Sequence, residues 1–216
     1  MTAVPANPKI YHITHIDNLA AIIASNKLVS DAIRIEKDID CSQVGMSTIK
    51  QRRLQRLEVS VHPGKKVCEF VPFYFCPRSV MLYILHKGNH ADITYQGGQA
   101  PIIHLQADLN AVIQRVEAKP HPWAFSDGNA GAFMTRFYNR PEDLDKVDWN
   151  AVNNQDFTDH QVKDSKQAEF LTYQVFPWTL IQKIGTINNT VATQVKSILA
   201  GHQHQPTIKV ERGWYY

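Results

Sequence analysis

The sequence predicts an α+β domain on three observations. Short stretches with strand alternation are mixed with short amphipathic stretches, without the regular βαβ order of a doubly wound sheet. No GxGxxG or P-loop pattern is present, so a dinucleotide would not be held in Rossmann fashion. A polar run, residues 153–166, gives way abruptly to an apolar strand pattern at 167–173, with Glu169 just inside the edge. A chain of 216 residues without repeats, low-complexity tracts or long Gly/Ser linkers is expected to form one domain, residues 1–216.

Residues 10–16 alternate as a strand, and Asp17 is placed to cap a helix carrying Leu19, Ile22 and Ile23, which Asn26 ends. This strand-to-helix junction sets His15 and Asn18 near exposed backbone N–H groups, where an anionic or amide-bearing ligand can dock. Residues 28–42 read as loop. Residues 45–57 read as a basic amphipathic helix, with Lys50, Arg52, Arg53 and Arg56 on its polar side. That cluster fits a solvated helix face and fits phosphate contacts equally well.

Residues 71–75 form an aromatic strand stopped by Pro77, after which Ser79 starts a helix holding Met81, Leu82 and Tyr83. Arg78, between a proline and a cap, is expected to point outward. Residues 87–99 are a hydrophilic loop, 101–106 a strand, and Asp108 caps a helix over 109–114. A strand over 124–130 ends in a turn, and 133–144 read as helix then loop. A short segment starts at Asp148 and Trp149. Strands follow at 180–187 and 207–210, around a helix over 191–200 capped by Thr190 and closed by Gly201.

On the 167–173 strand, Gln167, Glu169 and Leu171 share one face, while Ala168, Phe170 and Thr172 share the other. Glu169 thus combines a rigid support, partial desolvation and a neighbouring polar loop, the setting of many catalytic carboxylates. No metal site is expected: His86 and His90 lack a zincin glutamate, and His202 with His204 lack a third ligand. The longest apolar runs are too short to cross a bilayer, and residues 1–9 carry no signal pattern. Cys41, Cys68 and Cys76, odd in number and widely spaced, suit a reducing cytoplasm. The formal net charge of +3 leaves nucleic-acid binding to local clusters.

Several pieces resemble the DarT family of bacterial NAD-dependent DNA ADP-ribosyltransferases. They are Ile13-Thr14-His15 with Asn18-Leu19, Gly45 with Arg52-Arg53, Val71-Pro72-Phe73-Tyr74-Phe75 with Met81-Leu82, Phe125 with Asp127, Asp148-Trp149, Gln167-Ala168-Glu169, and Gly213-Trp214-Tyr215. They run in family order across nearly the whole chain. The resemblance implies an ADP-ribosyltransferase fold with a split sheet that pinches NAD. It implies transfer of ADP-ribose to a base in single-stranded DNA, most often the thymidine ring nitrogen, and a DarG antitoxin whose macrodomain removes the adduct. It places the catalytic glutamate on Glu169 and the active-site arginine on Arg53, with Arg52 adjacent. NAD contacts fall on Thr14, His15, Asn18, Leu19, Gly45 and Arg53. Arg78 and Met81 match positions near the substrate cleft. The sequence departs from the family at Asn129, which stands where relatives commonly carry His and keeps a donor and an acceptor without a titratable ring.

The chemistry so implied suits a carboxylate near the ribose, where positive charge develops as the glycosidic bond breaks. Arg52, Arg78, Lys163 and Lys166 are expected to track DNA phosphates, with aromatic side chains of the 153–166 run stacking on bases. Single-stranded DNA fits, because the attacked ring nitrogen is hidden in a duplex. The alternatives are transfer to guanine, RNA or protein, and a nucleic-acid-binding module without catalysis.

Overall fold

The structure, a computed structural model, describes residues 3–45, 57–132 and 134–216. The basic helix expected over 45–57, with Lys50, Arg52, Arg53 and Arg56, therefore lies almost wholly outside the described residues.

The strands are β1 (Lys9–His15), β2 (Lys27–Val29), β3 (Phe70–Tyr74), β4 (Ile102–Asp108), β5 (Trp123–Asn129), β6 (Phe137–Tyr138), β7 (Ala168–Tyr173), β8 (Val175–Pro177), β9 (Ile181–Thr186) and β10 (Thr207–Val210). Among the described residues the helices are α1 (Leu19–Ser25), α2 (Asp31–Glu36), α3 (Val80–Lys87), α4 (Leu109–Ala118), α5 (Trp149–Asn153), α6 (His160–Ser165) and α7 (Asn189–Leu199). Eight strands form one mixed sheet in the order β10-β9-β4-β1-β3-β7-β5-β6, and β2 pairs with β8 beside it. All pairs in the large sheet are antiparallel except β9 with β10.

The sheet is nearly two sheets. Strand β1 pairs with β4 along its whole length, from Lys9↔Asp108 to His15↔Ile102. Its register with β3 on the other side is the single pair Tyr11↔Tyr74. Pro72 of β3 has no N–H to offer a ladder. Its carbonyl is instead taken by the His12 ring Nδ1 at 2.8 Å, so that nitrogen is the one carrying a proton. This thin junction between two well-paired halves agrees with the split sheet that the resemblance implied.

Most elements lie where periodicity put them. The Asp108 carboxylate caps α4, the Ser79 hydroxyl caps α3, and Gly201 at φ +80° follows α7. Four expectations are corrected. Residues 28–42 are not simply loop: they hold part of β2 and all of α2, a helix with no buried residue and hence no apolar stripe to read. Residues 134–144 hold β6 and a 3₁₀ turn (Pro141–Lys146) instead of a helix, because Tyr138 finds Phe125 across the sheet and stacks on it at 5.3 Å. The first turn after β1 is capped by the His15 Nδ1, which accepts the Asp17 N–H at 3.2 Å, so Asp17 is not the cap. Helix α7 is capped by Asn188, two residues before Thr190.

On β7, Ala168 and Phe170 join the main core, with Phe73, Phe125 and Trp178. Leu171 joins a smaller cluster, with Val59, Phe70 and Ala124. This is the two-sided alternation expected of the strand, and it keeps Glu169 off the main core. On β9 the Trp214 ring packs against Gly185, where any Cβ would overlap it. Replacing Gly185 by Ala is expected to destabilise the fold by about 1–3 kcal/mol through this overpacking. Urea unfolding checks it, and an unchanged midpoint would contradict the packing described.

Candidate active site

The two sheet halves open onto a cavity of about 600 Å³, within the usual range for a small-molecule site. One wall comes from β1 and the turn after it, through His12, Thr14 and Asn18. The opposite end holds Glu169, Gln167 and Asn129, with Tyr74 of β3 and Met81 of α3 between. Residues 39–45 and α2 close the remaining side.

Glu169 is 2% exposed and is the second residue of β7. Its backbone is held in an unusual way. Strands β5 and β7 pair regularly up to Phe125↔Phe170 and again at Asn129↔Ala168. Residues 126–128 of β5 thus face the single residue Glu169, a bulge that takes the ladder partner away from its N–H. The Ser126 hydroxyl replaces that partner: it accepts the Glu169 N–H at 2.9 Å and donates to the Gly128 carbonyl at 2.7 Å. The bulge so re-aims the strand at the position of the carboxylate. It also sets Gly128 against Asp164 of α6, at a distance a side chain would crowd.

Asn18 is fully engaged. Its Oδ1 accepts the Ser42 N–H at 2.8 Å, and its Nδ2 donates to the Ser42 carbonyl and to Thr14 Oγ1, both at 3.0 Å. The side chain reads a backbone as a neighbouring strand would, and ties residues 39–45 to β1. Asn129 donates from Nδ2 to Gln167 Oε1 at 3.1 Å and accepts the Gly131 N–H at 2.7 Å. Gln167 in turn donates to the Lys163 carbonyl at 3.0 Å, linking this corner to α6.

Thr14, Asn18, Gly45, Met81, Asn129 and Glu169 therefore line one cleft although they are scattered through the sequence. His15 stands beside it, its ring edge-on to Tyr95 at 5.7 Å, and Leu19 is fully buried in the core behind it. Arg78 is half-buried at a flank, donating to Gln155 Oε1 at 3.2 Å. Lys163 is exposed on α6. Lys166 corrects its expected place: it is 2% exposed and donates from Nζ to the Val152 carbonyl at 2.7 Å, so it faces the core and no phosphate. Arg52 and Arg53 lie outside the described residues.

Sequence reasoning missed Ser126, Gln167 as a cleft residue, and the 39–44 part of the wall that ends at the expected Gly45. Ser126 carried no signal, since its role exists only where the two strands fall out of step. The polar run before Glu169 is not featureless either. Asn154, Asp156 and Asp159 each accept the N–H two residues on, a succession of Asx turns leading into α6. The Thr158 N–H and hydroxyl hold the Asp156 carboxyl below its usual range.

The sequence profile described as "ssDNA thymidine ADP-ribosyltransferase, DarT" matches residues 11–216. A DNA ADP-ribosyl transferase of Thermus aquaticus is 38% identical over 216 residues, covering 99% of this chain and 91% of the relative. The structure of Thermus sp. 2.9 DarT in complex with ADP-ribosylated ssDNA superposes with a TM-score of 0.90 at 35% identity, covering 100% of this chain and 99% of that one. The same protein in complex with NAD+ superposes with a TM-score of 0.83 at 33% identity, covering 99% and 100%. A DNA ADP-ribosyl transferase–DNA ADP-ribosyl glycohydrolase fusion protein of Thermosipho africanus is 28% identical over 138 residues, 64% of this chain and 31% of the fusion.

Two outcomes test the site's construction. Ser126→Ala strands the buried Glu169 N–H and is expected to cost about 1–3 kcal/mol, read as a lowered urea midpoint. Asn18→Asp sets a carboxylate against the Ser42 carbonyl, so residues 39–45 are expected to become sensitive to limited proteolysis. Wild-type resistance in that variant would refute the tie.

Proposed function

Since the chain belongs to the DarT family of single-stranded-DNA thymidine ADP-ribosyltransferases, we propose that its cleft holds NAD with the nicotinamide–ribose bond at Glu169 and passes ADP-ribose to a thymidine ring nitrogen. The chain is an NAD-dependent DNA ADP-ribosyltransferase acting on single-stranded DNA. The observation that carries the assignment of its site is Glu169: a buried carboxylate, aimed by a bulge, at one end of a cavity of about 600 Å³ in the split sheet.

The cleft fits NAD as a substrate. Its volume of about 600 Å³ suits a dinucleotide, and polar groups line it from both halves of the sheet. Thr14, Asn18 and Gly45 stand at one end, with Asn129, Gln167 and Glu169 at the other. Leaving nicotinamide takes the bonding electron pair to its ring nitrogen, and positive charge develops at the ribose anomeric carbon. The Glu169 carboxylate stabilises that charge at short range, in a site where burial weakens screening. The thymidine nitrogen then forms the new bond and gives up its proton. Asn18 acts by fixing the 39–45 wall, and Arg53, on the chain beyond Gly45, is the active-site arginine by resemblance, suited to bind the pyrophosphate or to hold Glu169 and the target base in position. Asn129 contributes hydrogen bonds without a titratable ring, so proton removal falls to Glu169 or to solvent. Arg78, Lys163 and Arg52 serve the DNA backbone; Lys166 is withdrawn from that set.

The family context favours a toxin in a toxin–antitoxin pair. A partner resembling DarG, with a macrodomain that removes the adduct, fits the fusion relative that joins the two activities in one chain. Among the described residues no helix is long and apolar enough to cross a membrane. Free Cys68 and Cys76, both buried, and Cys41 agree with a cytoplasmic setting. We take residues 1–216 as one catalytic domain, in line with a family match spanning 11–216.

Glu169→Gln keeps the shape and hydrogen-bonding capacity of the side chain but removes its charge. It is expected to fold normally and to lose roughly 10²–10³-fold in turnover. Mass spectrometry of short single-stranded oligonucleotides, with thymidine or guanine as the variable base, reports product and base together after incubation with NAD. Wild-type labelling by this variant would remove Glu169 from the mechanism.

A further inference from the structure

Residues 154–159 belong to the polar run before Glu169, yet they do not stand free over the cleft. They are docked on a cluster formed by the Tyr83 and Tyr216 rings and the Arg78 guanidinium. The Arg78 guanidinium carbon lies 4.4 Å over the Tyr216 ring centroid, and the same guanidinium donates to Gln155. Phe157 meets the Tyr83 ring edge-on at 5.2 Å and the Tyr216 ring at 6.0 Å, while Tyr83 and Tyr216 are 5.0 Å apart.

Tyr216 is itself held from both ends. Its hydroxyl donates to the carbonyls of Arg78 (2.9 Å) and Ser79 (3.2 Å), at the start of α3. Its backbone N–H and carbonyl are both bound by the side-chain amide of Gln99, which is 8% exposed. Burial pushes the Tyr216 phenol well above its usual value, so the hydroxyl remains a donor at any working pH. A flexible arginine normally loses side-chain entropy when it binds a phosphate. Here a planar ring beneath the guanidinium and an amide beside it set its direction before a strand arrives.

We propose that Tyr216 is a positioning residue for DNA recognition: it presents Arg78 and residues 155–157 as one preformed wall against which single-stranded DNA docks. The inference rests on the reading of Arg78 as a DNA contact. Tyr216 does not line the cavity, so its effect falls on the oligonucleotide and not on NAD.

The test is steady-state kinetics with NAD and a thymidine-containing single-stranded oligonucleotide, using Tyr216→Leu, Arg78→Ala and the double variant. Tyr216→Leu is expected to raise KM for the oligonucleotide roughly tenfold while KM for NAD stays at the wild-type value. Arg78→Ala is expected to raise the oligonucleotide KM comparably, and the double variant to add little, because both remove one wall. Tyr216→Phe keeps the ring and loses only the hydroxyl tie, so it should fall between wild type and Leu; it also serves as the decisive variant if Tyr216→Leu does not fold. An unchanged oligonucleotide KM in folded Tyr216→Leu, in Tyr216→Phe where that stands in, or independent additive effects in the double variant, would overturn the proposal. An unchanged oligonucleotide KM in Arg78→Ala would overturn both the proposal and the reading of Arg78 beneath it.

Discussion

The active site depends on a place where the sheet almost fails. Strands β1 and β3 are neighbours, but among the described residues they share one register pair, Tyr11↔Tyr74. A full ladder there would close the gap and leave no cleft. Pro72 prevents it by lacking a donor, and the His12 imidazole satisfies the Pro72 carbonyl that a ladder would otherwise serve. The four strands on each side stay well paired, so the opening is bounded by rigid edges. Thr14 and Asn18 are carried on one edge, and Glu169 on the other half through β7.

The same logic, in which a side chain completes a backbone where the regular pattern stops, recurs around the cleft. The Ser126 hydroxyl completes β5 opposite Glu169. The Asn18 amide completes β1 toward Ser42. Each leaves a buried peptide group satisfied while freeing the chain from strict ladder geometry. A bulge or split without these partners would carry orphan N–H and carbonyl groups, each costing about 1–3 kcal/mol. The site is therefore built from local exceptions to the sheet, held by the side chains of His12, Asn18 and Ser126.

Much of this architecture was legible in the sequence, and the illegible part has a common cause. Alternation placed β1, β7 and β10, and caps placed α3 and α4, because those signals are local. The two faces of β7 could be read from Phe170 and Leu171 alone. Helix α2 escaped notice since it buries nothing, and β6 escaped since Phe137 and Tyr138 become a strand only against β5. At the site, Glu169 stood out as a lone carboxylate at a polar-to-apolar border, and family order gave it a role. Lys166 looked like a phosphate contact because charge normally means surface; its four-carbon stem instead carries the ammonium inward to the Val152 carbonyl. Ser126 and the Asn18–Ser42 tie depend on strand register and on contacts 24 or more residues apart, which no window of sequence reveals.

The strand order has a consequence for when this enzyme becomes active. Strand β1 is made early but is flanked by β4 and β3, and its half of the sheet is finished by β9 and β10. Glu169 reaches its position only when β7 has paired with both β3 and β5. Each half of the cleft thus waits for segments from the later part of the chain, and contacts of such long range form slowly. A nascent chain that stops before β7 has no Glu169 in place, and one that stops before β9 lacks the strand that pairs with β4. The topology thus ties assembly of the cleft to synthesis of residues 168–210, which supply β7, β9 and β10.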